Sequence, residues 1–274
     1  MSEGRSDDIV VVVGGHSYDD TALAALLDAT CGRRWRWCER DDVGALDVAG
    51  LSVEVRYDIA GLALARGREP EPADPTVAER THLAALSEAG VGLVVLHHAI
   101  ASWPTWDAWA DGIGARFFYA PGRWGDRAWP ASGYAMGRLE LEPVAGHPVT
   151  EGVEAFTIDD EQYLCPTVPG LEPLLRVAVP LQPETAIDTH HEVVAGERRP
   201  ALDHPPADPA VASLVGWCTS VGRSPVVVLL PGHGRPAFEH PDYRRLIANA
   251  VDWAGSDDAR RWAVDRGAPG FSVA

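Results

Sequence analysis

The chain has 274 residues, 46% of them hydrophobic, which is enough for one sizeable core, and its formal net charge is −17 at pH 7. Nucleic acid and anionic membranes are unsuitable partners for so acidic a chain, because both require a clustered basic surface. Every basic residue is arginine, so Schiff-base lysines and phosphate-loop lysines are excluded.

The N-terminal sequence and the cysteines indicate a reduced, cytoplasmic protein. "MSEGRSDDIVVVV" is acidic before its apolar run and lacks a secretory cleavage pattern, and no apolar stretch approaches the roughly 20 residues that span a bilayer. Cys31, Cys38, Cys165 and Cys218 form no C-x-x-C pair, so we expect buried thiols. The expected partner is a small molecule, and the oligomeric state, including a homo-oligomer, stays open.

Short apolar runs alternate with helical patterns from the start of the chain. Ile9–Val13 is typical of a buried parallel strand, and a glycine turn and a helix that Asp19 or Asp20 would cap follow it. Further strands are predicted at 35–38, 53–57 and 91–96. Before the last of them, Asp74 and Pro75 have the residue types of a helix N-cap and first position. This order predicts βα units.

The second half of the chain continues the pattern less regularly. Residues 134–167 are predicted to mix short strands and turns, whereas "SPVVVLLPGHG" repeats the motif of strand and glycine loop. An amphipathic helix is predicted to start at Pro241. We expect one α/β domain over residues 1–254, doubly wound around a mostly parallel sheet with helices on both faces, and a C-terminal helix and tail over 255–274.

Histidines follow three of the predicted strands. "VVVVGGH" ends at His16, "LVVLHH" at His97 and His98, and "VVVLLPGH" at His233. Ligands of doubly wound sheets bind at the carboxyl ends of the strands, and neighbouring strands are only about 4.8 Å apart. We therefore expect at least two of these histidines to line one pocket. The loop "GGHSYDDT" has no phosphate-binding fingerprint, so no nucleotide cofactor is expected.

Two segments combine acids with other polar groups. In "AFTIDDEQYLCP" three consecutive acids are typical of a solvated turn, but the apolar flanks draw the segment inward and make Glu161 a candidate acid or base if burial raises its pKa. In "DTHHEVV", His190 and His191 would point to opposite faces of an extended chain, and a surface position is the favoured interpretation.

The tryptophans favour a structural role. Trp103, Trp106 and Trp109 have helical spacing, which more often marks a packed stripe than a ligand platform. Trp124 and Trp129 lie in a loop, where aromatic side chains beside a polar pocket would suit the apolar face of a sugar ring.

The sequence resembles the trehalose-utilisation ThuA-like family. The resemblance rests on "GGH" after the first strand, on "GLVVLHHAIASWPTW", on "HPVTEGVEAFTIDDEQY" and on "PGHGRPAFEHPDYRRLIANAVDWA", which together span roughly residues 8–254. It implies the flavodoxin-like fold of class I glutamine amidotransferases. Those enzymes carry a nucleophilic cysteine after the central strand, where this chain has His97 and His98, so glutaminase chemistry is not expected.

The resemblance implies a role in the catabolism of trehalose and related disaccharides. Our first hypothesis is an enzyme that acts on an oxidised (3-keto) sugar or glycoside by isomerisation, elimination or hydrolysis. Glu161 would be the base, His97 or His98 would polarise the carbonyl oxygen, and His233 would carry a proton to the leaving oxygen. The alternative is a non-catalytic module, which binds sugar or serves as an accessory subunit of a sugar dehydrogenase.

A metal-assisted variant of the enzyme is also open. His98, Glu161 and His233 would bind a divalent ion, zinc or manganese, through two imidazoles and a carboxylate. The residues expected to contact the ligand are Gly15, His16, Ser102, Trp103, Tyr163 and Gly232.

Overall fold

A ten-stranded mixed sheet forms the centre of the protein, which a computed structural model describes over residues 8–32, 34–205 and 209–273. The strands are β1 Ile9–Gly14, β2 Trp35–Glu39, β3 Val53–Asp58, β4 Leu62–Ala63, β5 Glu71–Pro72, β6 Gly92–Leu96, β7 Gly122–Trp124, β8 Arg127–Trp129, β9 Gly133–Pro143, β10 Phe156–Leu164, β11 Glu172–Val177, β12 Ile187–Asp188, β13 Leu214–Val221 and β14 Ser224–Leu229. The helices are α1 Asp20–Cys31, α2 Val77–Ala89, α3 Asp107–Ile113, α4 Thr189–Ala195, α5 Pro209–Ala212, α6 Arg235–Glu239, α7 Pro241–Ala254 and α8 Asp257–Arg266.

The core of the sheet is parallel and has the order β14-β6-β3-β1-β2. Alternate residues of β1 belong to different apolar clusters: Val11 packs with Leu23 and Leu27 of α1, and Val12 packs with Val43 on the other side. Burial on both faces explains why these strands are continuous apolar runs. The predicted doubly wound α/β fold is confirmed.

The other half of the sheet is antiparallel and comes from the irregular middle of the chain. Strands β13, β11, β9 and β10 pair in that order, and β12 adds to β9. The prediction of short strands and turns over 134–167 is wrong, because β9 has eleven residues and β10 has nine. Buried and exposed side chains alternate along β9, as in a long strand with one solvent-facing side: Leu139 and Leu141 are buried, and Arg138 and Glu140 are exposed.

Helix capping agrees with the sequence except at α2. Asp19 caps α1 by accepting the N–H of Ala22 at 2.8 Å. The prediction that Asp74 and Pro75 begin the next helix is wrong, because Thr76 caps α2 and forms a capping box with Glu79. The box satisfies two backbone N–H groups at once, which an aspartate two residues earlier could not do. Helix α7 begins at Pro241 as predicted.

The three tryptophans are buried, but they do not form one helical stripe. Helix α3 begins at Asp107, so Trp109 is helical while Trp103 has a left-handed backbone with φ of 44°. The ring centroids of Trp103 and Trp109 lie 5.0 Å apart, and Phe271 of the C-terminal tail stacks on Trp106. These rings are core residues. Among the described residues, no helix is long and apolar enough to cross a membrane.

Candidate functional site

The loops after β1, β6 and β14 bring four histidines together at one edge of the sheet. The ring centroids of His16 and His98 lie 4.5 Å apart, those of His97 and His233 5.2 Å, and those of His16 and His233 6.3 Å. Parallel neighbouring strands end at the same edge, so residues far apart in sequence converge there. The sequence predicted this convergence because each histidine follows its own apolar run.

His97 occupies the elbow at the end of β6. Its φ of 50° is a left-handed conformation that residues other than glycine seldom adopt. A short 3-10 helix, His97–Ala101, starts at this residue. The Nδ1 atom of His97 lies 2.8 Å from the carbonyl oxygen of Leu230 at the end of the neighbouring strand. The elbow thus carries an imidazole, and no cysteine is available there as a nucleophile.

Strand β10 places Glu161 against two of the histidines. The Oε2 atom of Glu161 lies 3.2 Å from His97 Nε2 and 3.4 Å from His233 Nδ1, and the two nitrogens are 3.1 Å apart. These three atoms form a nearly equilateral triangle, and we call the three residues the His-Glu-His centre. The prediction of a solvated turn for the acids is wrong, because they lie on a paired strand.

The hydrogen bonds of His97 fix its tautomer. A carbonyl oxygen only accepts, so Nδ1 of His97 carries the proton that it donates to Leu230, and when the ring carries no second proton its Nε2 presents a lone pair. That lone pair faces the carboxylate of Glu161 and the Nδ1 of His233. Acceptor atoms at such distances repel one another unless a proton or a metal cation lies between them.

The ionisation of the centre differs from the prediction for Glu161. Burial alone would raise the pKa of Glu161, but hydrogen bonds and charge from His233 and His97 outweigh it and hold this pKa well below its usual range. The hydrogen bond to Glu161 raises the pKa of His233, although partial burial opposes the shift. Glu161 is therefore a carboxylate at neutral pH and is suited to binding a cation.

Asp160 positions the loop that carries His233, a role that the sequence alone did not indicate. Its carboxylate accepts the backbone N–H of Gly232 at 2.8 Å and that of His233 at 2.9 Å. Only 1% of Asp160 is exposed. Because side chains alternate along β10, Asp160 can support the loop while Glu161 faces the histidines.

Tyr163 adds a hydroxyl to the centre. Its oxygen lies 3.0 Å from Glu161 Oε2 and 2.8 Å from His97 Nε2. Burial and the neighbouring Glu161 raise the pKa of Tyr163 well above its ordinary value, so the hydroxyl stays protonated and serves as a donor.

His98 lines the cavity beside the centre but is not part of it. It is 4% exposed, and neither ring nitrogen has a hydrogen-bond partner among the residues that the structure describes. Burial, followed by the charges of His97 and His16, lowers the pKa of His98 well below its usual value, so its ring is neutral. The predicted metal set contained His98; the structure instead places His97 with Glu161 and His233, because the left-handed turn at His97 redirects its ring.

The His-Glu-His centre adjoins a cavity of about 410 Å³. Four aromatic side chains contribute to its wall, namely Phe117, Tyr119, Tyr134 and Tyr163. Polar groups alternate with them, and these include His16, His98, Glu161, His233, Glu192 and Arg198. A cavity of this size and mixed lining is typical of a small-molecule site.

Several residues predicted to contact ligand serve the framework instead. Gly15 packs closely against the backbone of Ile59, because an added Cβ would lie 2.1 Å from the Ile59 carbonyl oxygen. Ser102 Oγ accepts the N–H of Ala60, and Trp103 is 1% exposed. The carbonyl of Gly232 accepts the Tyr57 hydroxyl. Of the six residues predicted to contact ligand, only His16 and Tyr163 line the cavity.

The "DTHHEVV" segment is helical and closes one side of the cavity. It forms α4 with Asp188 as its N-cap rather than an extended chain, and His190 and His191 are both partly exposed. His190 pairs with Glu69 outside, while Thr189 and Glu192 line the cavity. Glu192 could not be predicted from the sequence, because its position depends on the pairing of β12 with β9.

Known proteins resemble this chain in sequence and in fold. Residues 70–254 match the model of the family described as trehalose utilisation (ThuA). A ThuA-like protein from Parabacteroides merdae superposes with a TM-score of 0.56 at 14% identity, over 90% of this chain and 89% of that one. A second, from Bacteroides uniformis, gives 0.56 at 15% identity over 93% and 94%. A cytoplasmic protein from Salmonella typhimurium gives 0.50 at 8% identity over 90% and 99%. The comparison with curated proteins found no match.

Proposed function

The chain belongs to the trehalose utilisation (ThuA) family, and we propose that it is an enzyme of carbohydrate catabolism that acts on an oxidised (3-keto) sugar or glycoside with a divalent metal ion, zinc or manganese, at the His-Glu-His centre. One observation carries the proposal. Three ligand atoms of His97, Glu161 and His233 converge beside a cavity large enough for a small molecule.

The triangle has the dimensions of a metal site. Zinc binds nitrogen and carboxylate oxygen at about 2.0 to 2.2 Å, so neighbouring ligand atoms lie about 3 to 3.5 Å apart. The separations of 3.1, 3.2 and 3.4 Å fall in this range. Two imidazoles and one carboxylate would leave coordination positions open for water or substrate.

Supporting contacts of the kind that metal ligands have are also present. Histidine ligands usually donate their second N–H to a carbonyl or carboxylate, which fixes the tautomer. His97 does so through Leu230, and Asp160 holds the backbone of His233 with two hydrogen bonds. These contacts orient both imidazoles before a cation binds.

The chemistry follows from a carbonyl placed at the centre. His97, Glu161 and His233 would hold a divalent ion that would polarise the keto oxygen as a Lewis acid and so acidify the neighbouring C–H bond. Glu161 then serves as a ligand rather than as the base. His98 is the neutral imidazole beside the cavity whose nitrogens have no partner in the described part of the chain, and it would take that proton or return it. The Tyr163 hydroxyl stays protonated and donates to oxygen.

The substrate class rests on the walls of the cavity and on the family. Phe117, Tyr119 and Tyr163 offer aromatic faces, which suit the apolar face of a sugar ring, and the polar groups between them suit its hydroxyls. The family description, trehalose utilisation, supports a disaccharide as the natural class.

A proton NMR time course in deuterated buffer tests the proposal. Purified protein is incubated with a panel of 3-keto-disaccharides, with Zn²⁺ or Mn²⁺ and, separately, with EDTA. We expect deuterium to enter next to the keto group, or product to form, only in the samples with metal. Deuterium incorporation that EDTA does not affect would contradict the proposed requirement for a metal ion. Unchanged spectra across the panel would instead favour a non-catalytic sugar-binding module.

A further inference from the structure

We propose that Tyr134, Glu192 and Arg198 form a second subsite, which binds neighbouring hydroxyl groups of an uncharged sugar ring in the same cavity as the His-Glu-His centre. All three residues line the same cavity as Glu161 and His233. The inference rests on the proposed function in one respect, namely that another sugar ring of the same ligand lies at the metal. Binding of a sugar ring at the second subsite does not require catalysis.

The strand register links the two sides of the cavity. Tyr163 of β10 lies directly opposite Tyr134 of β9, so their side chains are neighbours on the sheet. Each hydroxyl donates to a glutamate: Tyr163 to Glu161 at 3.0 Å, and Tyr134 to Glu192 in a short hydrogen bond. Two tyrosine–glutamate pairs therefore line the cavity, and only the first belongs to the His-Glu-His centre.

Helix α4 holds Glu192 in place. Asp188 pairs with Gly133 of β9, caps the helix by accepting the N–H of His191 at 3.0 Å, and binds Arg199 at 2.7 Å. Strand pairing, the cap and the ion pair fix the start of α4, and Glu192 follows within its first turn. The position of its carboxylate against Tyr134 is therefore built into the framework.

The contacts of Glu192 leave acceptor capacity for a ligand. One oxygen accepts from Tyr134 and the other accepts from Arg198 Nε at 2.7 Å. A carboxylate has about four acceptor positions, so each oxygen can take one more donor. Two hydroxyls on adjacent carbons of a sugar ring match this pair of acceptors, and the terminal nitrogens of Arg198 are donors beside them.

Charge favours an uncharged ligand over an anionic one. Arg198 neutralises Glu192 within the subsite, and burial together with the bond to Glu192 raises the pKa of Tyr134 to about 12, which keeps it neutral. The whole chain carries a formal charge of −17, which repels sugar phosphates and uronates. A neutral disaccharide, with one ring at the centre and one ring here, fits both observations.

Binding of trehalose, with glucose 6-phosphate as the anionic probe, tests the inference by isothermal titration calorimetry. The variants are Glu192→Gln and Tyr134→Phe, and the matched control is the exposed Glu197→Gln. The second variant removes only a hydroxyl, so it remains informative if the first fails to fold. We expect trehalose to bind at least about tenfold more weakly to Glu192→Gln and severalfold more weakly to Tyr134→Phe, with the control unchanged.

Zinc titrations of the same variants separate this inference from the proposed function. We expect wild-type zinc affinity in all of them, since none of the altered residues is a proposed ligand. Wild-type protein that does not bind trehalose, variants that bind it as wild type does, or tighter binding of glucose 6-phosphate would each overturn the inference. If trehalose binding depends on Glu192 in a protein that has no affinity for zinc, the second subsite is supported and the proposed metal ion is contradicted.

Discussion

The Nδ1 atom of His97 donates to the carbonyl oxygen of Leu230 at 2.8 Å, and this bond decides that the other nitrogen faces Glu161. The left-handed backbone at His97 makes the contact geometrically accessible. The end of β6 thus carries an imidazole nitrogen that is oriented towards Glu161 and His233.

Replacing His97 should remove metal binding without unfolding the chain. Asparagine tolerates the left-handed conformation, so His97→Asn keeps the elbow while losing the imidazole. We expect zinc affinity at least about 100-fold lower and a melting temperature close to wild type. Competition titration with a zinc chelator measures the first and calorimetry the second. His191→Asn on α4 is the control, and equal zinc affinity in the two variants would count against the assignment.

Asp160→Asn tests the support of the His233 loop. The amide keeps one acceptor oxygen but turns an NH₂ group towards one of the two backbone N–H donors, so one buried hydrogen bond is lost. We expect a loss of about 1 to 3 kcal/mol in the free energy of unfolding and a zinc affinity about 10- to 100-fold lower. Urea denaturation and metal titration measure these. The exposed Asp159→Asn serves as the control and should match wild type.

Two glycines of the same loop should respond differently to substitution. Gly232 has φ of 133°, and a Cβ there would lie 2.3 Å from the Tyr243 hydroxyl. We expect Gly232→Ala to lower the melting temperature by several degrees and to weaken zinc binding, because the loop must move. Gly234 has extended backbone and no atom within 4 Å of its Cβ position, so Gly234→Ala should resemble wild type. Equal melting temperatures would contradict this reading of the loop.

The buried pair of His82 and Glu54 lies outside the candidate site and should contribute to the free energy of unfolding. His82 Nε2 lies 2.6 Å from Glu54 Oε2, and Arg56 contacts the other oxygen of Glu54. His82→Leu leaves one oxygen of a fully buried carboxylate without this partner. We expect a loss of about 3 kcal/mol in the free energy of unfolding, measured in urea, whereas the exposed Thr81→Ala should change it little.

The loss caused by His82→Leu should depend on pH. Burial opposes the charge on His82, but Glu54 outweighs it and raises the pKa of His82 above 6.5. A raised histidine pKa gives stability that is fully present below 6.5 and is lost as pH rises through the folded value. The difference between wild type and His82→Leu should therefore be larger at pH 6 than at pH 9. A difference that grows towards pH 9 would contradict the pairing.

The sequence predicted the features that follow from patterns of residues close together along the chain. Apolar runs followed by histidine identified β1, β6 and β14 and the convergence of their loops, because parallel strands end at one edge. It did not distinguish His97 from His98, since strand alternation says only that the two differ in direction, and the backbone turn at His97 decides which ring meets Glu161. Glu192 was missed, because long-range pairing of β12 with β9 positions it.

The metal content of the purified protein tests the central claim most directly. Wild type and His233→Ala are loaded with Zn²⁺ or Mn²⁺, dialysed and analysed by inductively coupled plasma mass spectrometry, with His191→Asn as the matched control. We predict one ion per chain in wild type and control and none retained by His233→Ala. Wild type without metal, or His233→Ala with an undiminished content, would contradict the His-Glu-His centre as a metal site.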